Sequence, residues 1–366
     1  MNADAKTALN RCWPVSEWPA SDRAAWVAAL QPGDALNPGG IAARWATATR
    51  TMVENGYGRW LGSLHTKGLL NPEDTPDQRV NKERVAAYVA ELAASTAPFS
   101  VQGRVRQLGN ALRAMCPHGD WGWILRGADR IRACAIPARN KRARLQSPDQ
   151  LVQLGLQIMA QADASIDGRA VWRAADYRDG LIIALLALRP IRARNLTMIQ
   201  CGRHLLRRNG AWWLVFQATE TKTKQPLEMP FPEELVPNLE HYLATHRPVL
   251  LDVGQRHDRP QTDALWVSSI GCAMHYTSIS IQVRRCTEAA FGHALNPHLF
   301  RDCAATSIAT IGPEHVQIVL PILGHSSLAT SEKYYNQARS LEAGRRYQRT
   351  IAELRRGIVE TGPYQK

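Results

Sequence analysis

Residues 297–335 have the sequence PHLFRDCAATSIATIGPEHVQIVLPILGHSSLATSEKYY, and this stretch is the most informative in the chain. The residues of interest in it are two of its three histidines, its arginine and a pair of adjacent tyrosines, which are His298, His325, Arg301, Tyr334 and Tyr335. Each pair alone has an ordinary explanation, since a His-x-x-Arg spacing is common on solvated helix faces and a Gly-His pair commonly ends a helix. All of them together, in this order, favour a functional site over scattered surface residues.

The composition indicates a polyanionic partner. The chain has 366 residues, with 45 lysines and arginines against 32 aspartates and glutamates, for a formal charge of +13. Basic groups near phosphates release condensed counterions, so this excess favours nucleic acid as a partner over a role in solubility alone. The length suits two domains that each bury a core.

The cysteines and the apolar runs predict the cellular compartment of the protein. The seven cysteines are scattered, odd in number and never in a C-x-x-C pair, which argues against a disulfide framework and against structural zinc. No apolar run reaches membrane-spanning length, and the first residues lack a signal-peptide core. We therefore predict a soluble cytoplasmic protein with no membrane partner.

The order of residues in the opening stretch resembles the C-terminal active-site region of the tyrosine recombinases, also called phage-type integrases. In that family a tyrosine attacks a DNA phosphate held by arginines and histidines. An earlier part of the family's pattern is an arginine, two variable residues, an acid and a leucine. Arg192 and Leu196 match it, while Asn195 stands where an acid is common and Arg189-Pro190 replaces the usual Thr-Gly. Arg192 is therefore the predicted first catalytic arginine, with Arg189 as the alternative.

The family's pattern also contains a lysine on a hairpin. Residues 210–217, GAWWLVFQ, are rich in Trp, Val and Phe and predict a strand, with residues 227–232, LEMPFP, as its partner. A lysine on a hairpin tip is ordinarily a solvated charge, but the family places a general-acid lysine eight residues before the proline of the closing strand. Lys222 lies eight residues before Pro230. It is the predicted acid, and Lys224 is the alternative.

The resemblance implies a role for each residue. Arg192 and Arg301 would clamp the non-bridging phosphate oxygens bidentately, doing what a metal does in other enzymes of this chemistry. His298 would take the proton of the attacking tyrosine, whose free pKa is about 10, and Lys222 would protonate the leaving 5′-oxygen. His325 would donate a hydrogen bond to a phosphate oxygen. The product would be a 3′-phosphotyrosine that a 5′-hydroxyl of another strand can attack, so no metal, other cofactor or ATP is expected.

Two adjacent tyrosines compete for the role of nucleophile. The commonest recombinase spacing places it nine residues after the histidine of the Gly-His pair, which is Tyr334. Some members end this motif with a tyrosine followed by Asn-x-Ala, and that pattern starts at Tyr335. Adjacent helical residues point about 100° apart, so only one hydroxyl can face the phosphate. The spacing favours Tyr334.

The composition and periodicity divide the chain into five segments. Residues 1–40 are punctuated by turn formers and predict an irregular leader, whereas residues 41–134 contain four amphipathic helices. Residues 135–147 predict an extended basic linker, residues 148–345 a mainly helical domain with a small sheet, and residues 346–366 a C-terminal helix or tail. The predicted fold class is mainly α with a small antiparallel sheet (α+β). The resemblance implies a SAM-like core-binding bundle followed by a catalytic domain.

Three further elements are predicted in the second half of the chain. Residues 181–188 are almost wholly apolar and predict a helix that is buried on all sides. The segment DALWVS, residues 263–268, predicts a further short strand, and residues 275–292 predict a helix that leads into the opening stretch.

Other classes of protein fit less well. The histidines that could form a zinc set lack an H-E-x-x-H spacing, and no G-x-S-x-G elbow indicates a serine hydrolase; these histidines are His293, His298, His315 and His325. A type IB topoisomerase shares the chemistry, but a separate helical bundle favours a recombinase. A catalytically inactive DNA-binding or architectural protein shares the fold, but the residue set here is complete.

The resemblance also implies partners. These are double-stranded DNA, three further copies of the chain in a homotetramer on paired sites, and an accessory DNA-bending or directionality protein. The terminal segment is expected to dock on a neighbouring subunit, and a mobile element is the expected genetic setting.

Overall fold

The computed structural model describes residues 12–136, 142–166, 169–311 and 347–353. The chain forms two compact units, Met1–Asn140 and Lys141–Lys366, and each has its own hydrophobic core. Helices dominate both units, and the strands within the described ranges form one small antiparallel sheet. This architecture confirms the predicted fold class. In these ranges we find no helix with the length and apolar character that crossing a bilayer requires.

The described part of the first unit contains five α-helices: α1 Ala20–Leu30, α2 Thr47–Thr66, α3 Lys82–Ser95, α4 Pro98–Met115 and α5 Gly122–Cys134. The last four occupy the region in which four helices are predicted. Their apolar residues recur every three or four positions and face the core, which in α4 are Val101, Val105, Leu108 and Leu112.

The prediction of an irregular leader is wrong where α1 forms. This helix is rich in alanine and has few strongly apolar residues, so its periodicity is faint in the sequence. Long-range contacts hold it instead, because Trp26 joins the core of the unit and Asp22 is fully buried. Asp22 accepts a hydrogen bond from the hydroxyl of Tyr57 at 2.5 Å and pairs with the guanidinium of Arg79 at 3.1 Å.

The second unit begins with α6, Pro148–Ala164, and α7, Ala170–Leu188, which pack against each other. They cross where Gly155 meets Gly180, and a Cβ added to either residue would lie 2.6 Å from the carbonyl oxygen of the other. Only glycine permits so close an approach of two backbones. The run from Leu181 to Ala187 is buried throughout, as its apolar sequence predicts.

A three-stranded antiparallel sheet follows in the order β1 Leu205–Arg208, β2 Ala211–Phe216 and β3 Leu227–Pro230. The strands β2 and β3 correspond to the predicted pair, with Leu214 opposite Met229. The strand β1 was not expected, because half of its residues are exposed arginines and only Leu205 is fully buried.

The strand predicted at residues 263–268 does not form. This segment takes part in two isolated bridges, from Ala264 to Gln200 and from Val267 to Ala273. Its Leu and Trp residues are buried in the core of the unit, so the apolar pattern reflects packing and not pairing within a sheet.

The remaining helices are α8 Ala193–Thr197, α9 Val236–His241, α10 Arg247–Arg256, α11 Tyr276–Phe291 and α12 Pro297–Ile311. A π-helical turn, Tyr242–His246, joins α9 to α10. The helix α11 is the one predicted over residues 275–292, and it ends where Gly292 adopts a φ of +71°. Residues 347–353 are helical and belong to the predicted C-terminal helix, whose remainder lies outside the described residues.

Candidate active site

Arg192 lies in the short turn between α7 and α8. Pro190 and Ile191 within this turn are buried, and Arg192 then adopts an extended conformation as the N-cap of α8. Partial burial lowers the pKa of the Arg192 guanidinium, yet an arginine stays protonated in a protein. The permanent positive charge of Arg192 therefore follows two buried residues that fix the position of its backbone.

Arg301 and His298 lie on the first turns of α12. The side chain of Asn296 accepts hydrogen bonds from the backbone N–H groups of His298 and Leu299, both at 3.0 Å, and so caps the helix. Arg301 is only 6% exposed, and its Nη1 donates to the carbonyl oxygen of Pro190 at 2.5 Å, although 111 residues separate the two. His298 is exposed. The contact with Pro190 brings the second predicted arginine to the turn that carries the first.

Lys222 lies in the connection between β2 and β3, and its side chain is exposed. The connection begins with a 3₁₀ turn at Ala218–Glu220. The hydroxyl of Thr221 then donates to the carbonyl oxygen of Gln225 at 2.7 Å and accepts from its N–H at 3.2 Å. Lys224, the alternative, is also exposed and has a φ of +53°. Lys222 is thus the lysine that directly follows the residue anchoring the connection.

One hydrogen bond joins this connection to α8, whose N-cap is Arg192, and another joins the turn before α8 to the end of β3. The buried side chain of Asn195 donates from Nδ2 to the carbonyl oxygen of Glu220 at 3.4 Å. The Nε of Arg189 donates to the carbonyl oxygen of Pro230 at 3.5 Å. At the position where the family commonly has an acid, an amide suits the first contact because it can donate to a carbonyl and a carboxylate cannot. Arg189, the alternative catalytic arginine, has its guanidinium at the end of β3.

Glu220 holds the start of the lysine-bearing connection in place, although no motif in the sequence marks this residue. Its Oε2 accepts from the backbone N–H of Gln217 at 2.9 Å, and its Oε1 contacts Nη2 of Arg203 at 2.5 Å and Nε2 of His204 at 3.2 Å. The bond from Gln217 is the main cause that lowers the pKa of the Glu220 carboxyl group. Glu220 thus fastens the start of the lysine-bearing connection to residues 16 and 17 positions earlier, a separation that sequence periodicity does not reveal.

His325, Tyr334 and Tyr335 lie outside the described residues. Their predicted roles, including the choice of Tyr334 as nucleophile, stay predictions. A hydrogen bond joins the helix that carries His298 and Arg301 to the turn formed by residues 189–192, and another joins α8, which follows that turn, to the connection that carries Lys222.

The chain is similar to known proteins in sequence and in fold. Residues 156–340 match the model of the phage integrase family, a match that covers just over half of the chain and includes every predicted site residue. The fold is similar to that of the XerH site-specific recombinase bound to difH substrate in a pre-cleavage complex, with 14% identity and a TM-score of 0.51 over 78% of this chain and 76% of that one. No curated protein matches the chain.

A second XerH structure, bound to a palindromic difH substrate in a post-cleavage complex, is similar at 15% identity, with a TM-score of 0.55 over 82% of this chain and 80% of that one. At such identities the structural likeness concerns the fold. The family match rests on the sequence of the half that contains the turn at residues 189–192 and the helix α12. The chain therefore belongs to the phage integrase family and is a tyrosine-type site-specific recombinase.

Proposed function

We propose that this recombinase cuts and rejoins double-stranded DNA through a 3′-phosphotyrosine, with Arg192 and Arg301 clamping the phosphate under attack. The observation that supports the proposal most is the hydrogen bond from Arg301 to the carbonyl oxygen of Pro190, which draws the two arginine-bearing segments together. Burial of an arginine costs free energy, and a role in which the oriented guanidinium of Arg301 binds a phosphate would account for this burial.

In the proposed cleavage step, the hydroxyl oxygen of Tyr334 attacks the phosphorus in line and the bond to the 5′-oxygen breaks. His298 accepts the tyrosine proton, and Lys222 gives a proton to the departing oxygen. The two guanidiniums and His325 stabilise the negative charge on the non-bridging oxygens. The exposure of His298 and Lys222 suits proton transfer, because both can exchange protons with water between cycles.

Rejoining is the same step in reverse. A 5′-hydroxyl of another strand attacks the phosphotyrosine, His298 returns the proton to the tyrosine, and Lys222 accepts one from the incoming hydroxyl. The phosphotyrosine conserves the energy of the broken bond, so the proposed cycle needs neither ATP nor a metal.

DNA as the partner is supported by the charge of the chain and by its structural neighbours. The formal charge is +13, and the XerH neighbours are complexes with their DNA substrates.

We extend the proposal to a homotetramer on paired sites, with residues 346–366 docked on a neighbouring subunit, and to an accessory DNA-bending or directionality protein. All seven cysteines are free thiols, which supports a cytoplasmic setting, and we propose the DNA of a mobile element as the substrate.

A nicked suicide duplex tests the proposal. Duplexes copied from the DNA that flanks the gene are incubated with the full chain in a metal chelator and without ATP. A nick beside the crossover point lets the short strand with the new 5′-hydroxyl diffuse away, so a covalent protein–DNA adduct should accumulate on a denaturing gel. An adduct that forms only when a divalent metal is added would contradict the arginine clamp, and relaxation of a plasmid without the site would favour topoisomerase activity.

A further inference from the structure

Asp163, His241 and His246 form a compact cluster in the second unit, outside the proposed recombinase site. Nε2 of His241 lies 3.2 Å, and Nε2 of His246 lies 2.9 Å, from the same oxygen, Oδ1 of Asp163. The three potential ligand atoms all lie within 4.8 Å of one another. Ligands that bind one zinc ion tetrahedrally at about 2.0–2.2 Å stand about 3.4 Å apart. The three side chains therefore lie close enough together to share one metal ion.

The π-helical turn is what brings the two histidines together. His241 ends α9 and His246 ends the turn, so they are five residues apart. In an α-helix, residues five apart differ by about 140° around the axis, and their side chains diverge. The π turn has hydrogen bonds between residues five apart, and here the two imidazole centroids lie 5.0 Å from each other. Turns of this kind are frequent at functional sites.

Neighbouring side chains hold the imidazoles in place. The ring of Tyr177 on α7 stacks on His246 with centroids 4.1 Å apart and meets His241 edge-on at 5.3 Å. Oγ1 of Thr245 lies 3.4 Å from Nδ1 of His241 and can accept its N–H, an arrangement that leaves the lone pair of Nε2 for a metal. His246 is buried, whereas the side chains of His241 and Asp163 are 43% and 44% exposed, so an ion can enter from solvent.

We propose that Asp163, His241 and His246 bind one zinc ion, with water completing its coordination. Two imidazoles and a carboxylate, plus water, form a ligand set typical of zinc and of its late first-row neighbours. The ion would join the last turn of α6 to the π turn, across sequence separations of 78 and 83 residues. Its predicted effect is to stabilise the second unit.

The zinc site is separate from the proposed phosphate clamp. Tyr177 lies in the first half of α7, and the helix runs about 17 Å from there to its end at Leu188, at 1.5 Å per residue. Metal binding is measured on the chain without DNA, so its failure and a failure of the proposed recombination chemistry are distinguishable.

Zinc affinity is the first measurement. The full chain is stripped of metal with a chelator and titrated in competition with a chromogenic zinc indicator. The wild type is compared with Asp163→Asn and His241→Gln, which replace exposed side chains, and with His257→Gln, an exposed histidine at the end of α10 that serves as the matched control. All four proteins keep the seven free thiols, so any binding by cysteine is common to them.

We expect one zinc ion per chain, at least ~10-fold weaker binding in Asp163→Asn and His241→Gln, and wild-type affinity in His257→Gln. Equal affinity in all four proteins would mean that zinc binds elsewhere. No binding in the wild type would show that the cluster is only a hydrogen-bonded triad. Either result overturns the proposal.

Thermal unfolding provides the second measurement and controls for folding. Zinc should raise the Tm of the wild type and of His257→Gln, because an ion that binds only the folded chain stabilises it. It should leave the Tm of Asp163→Asn and His241→Gln unchanged, while the circular dichroism spectra of all four metal-free proteins coincide. A zinc-dependent shift that persists in both site variants overturns the proposal.

Discussion

The arginines of the proposed site and its proton-transfer residues lie in contrasting surroundings. Arg301 is 6% exposed and held by a backbone carbonyl, and Arg192 is partly buried at the start of α8. Lys222 and His298 are exposed. Burial orients a charge before the substrate arrives, as stabilisation of a developing charge requires, whereas exposure keeps a group in contact with water. We therefore expect the proposed phosphate clamp to be oriented before DNA binds, and the proposed proton-transfer groups to be positioned when it binds.

The largest effect is expected at the nucleophile, which both sets of residues would serve. Tyr334→Phe removes only the attacking oxygen, so it should abolish the covalent adduct while DNA binding in a gel-shift assay stays near that of the wild type. Tyr335→Phe is the matched control and should still cleave. The reverse pattern of activities would move the nucleophile one residue along the chain.

The next largest effect is expected for the two arginines of the proposed clamp. Lysine keeps the charge but cannot make a bidentate contact, so Arg192→Lys and Arg301→Lys should each slow adduct formation about 10²- to 10³-fold. Single-turnover rates on the suicide duplex measure this. Arg194→Lys, at an exposed position in α8, should cleave like the wild type. Rates for Arg192→Lys that match those of Arg194→Lys would remove Arg192 from the clamp.

A smaller loss, about 10²-fold, is expected for Lys222→Ala, at the low end for general acid catalysis. A substrate with sulfur in place of the leaving 5′-oxygen sharpens the comparison, because sulfur leaves without a proton. Cleavage of this substrate by Lys222→Ala should return towards the wild-type rate, while Arg301→Lys should stay slow on it. If Lys224→Ala shows the defect and the rescue instead, the acid is the second lysine of the connection.

The smallest effect is expected at Asn195, whose hydrogen bond joins α8 to the connection that carries Lys222. Asn195→Ala removes the hydrogen bond to the carbonyl oxygen of Glu220 and leaves that acceptor unpaired, which should cost about 1–3 kcal/mol of unfolding free energy. Cleavage should slow about 10-fold, the equivalent of about 1.4 kcal/mol in the barrier. Denaturant unfolding and single-turnover cleavage measure the two quantities. A stability loss with an unchanged rate would show that the link does not position Lys222.

The sequence by itself determined the helices whose pattern repeats locally and the order of the predicted site residues. The helices α2 to α5 and the buried helix α7 form where the apolar periodicity predicts them, and His298 and Arg301 stand three residues apart on one helix. The resemblance to the family could also be seen in the sequence, because it is based on the order and spacing of these residues. Periodicity and motif spacing depend on neighbouring residues, so they can be found in the sequence without knowledge of the fold.

Only the tertiary structure decided which of these segments meet. It joins Arg301 to the carbonyl of Pro190 across 111 residues, and Asn195 to the root of the lysine-bearing connection. It also forms α1 from an alanine-rich segment around the buried Asp22, and it aligns His241 with His246 through a π turn. These features arise from burial and from hydrogen bonds between segments that are distant in sequence. Such contacts form only in the folded chain, so no local sequence pattern predicts them.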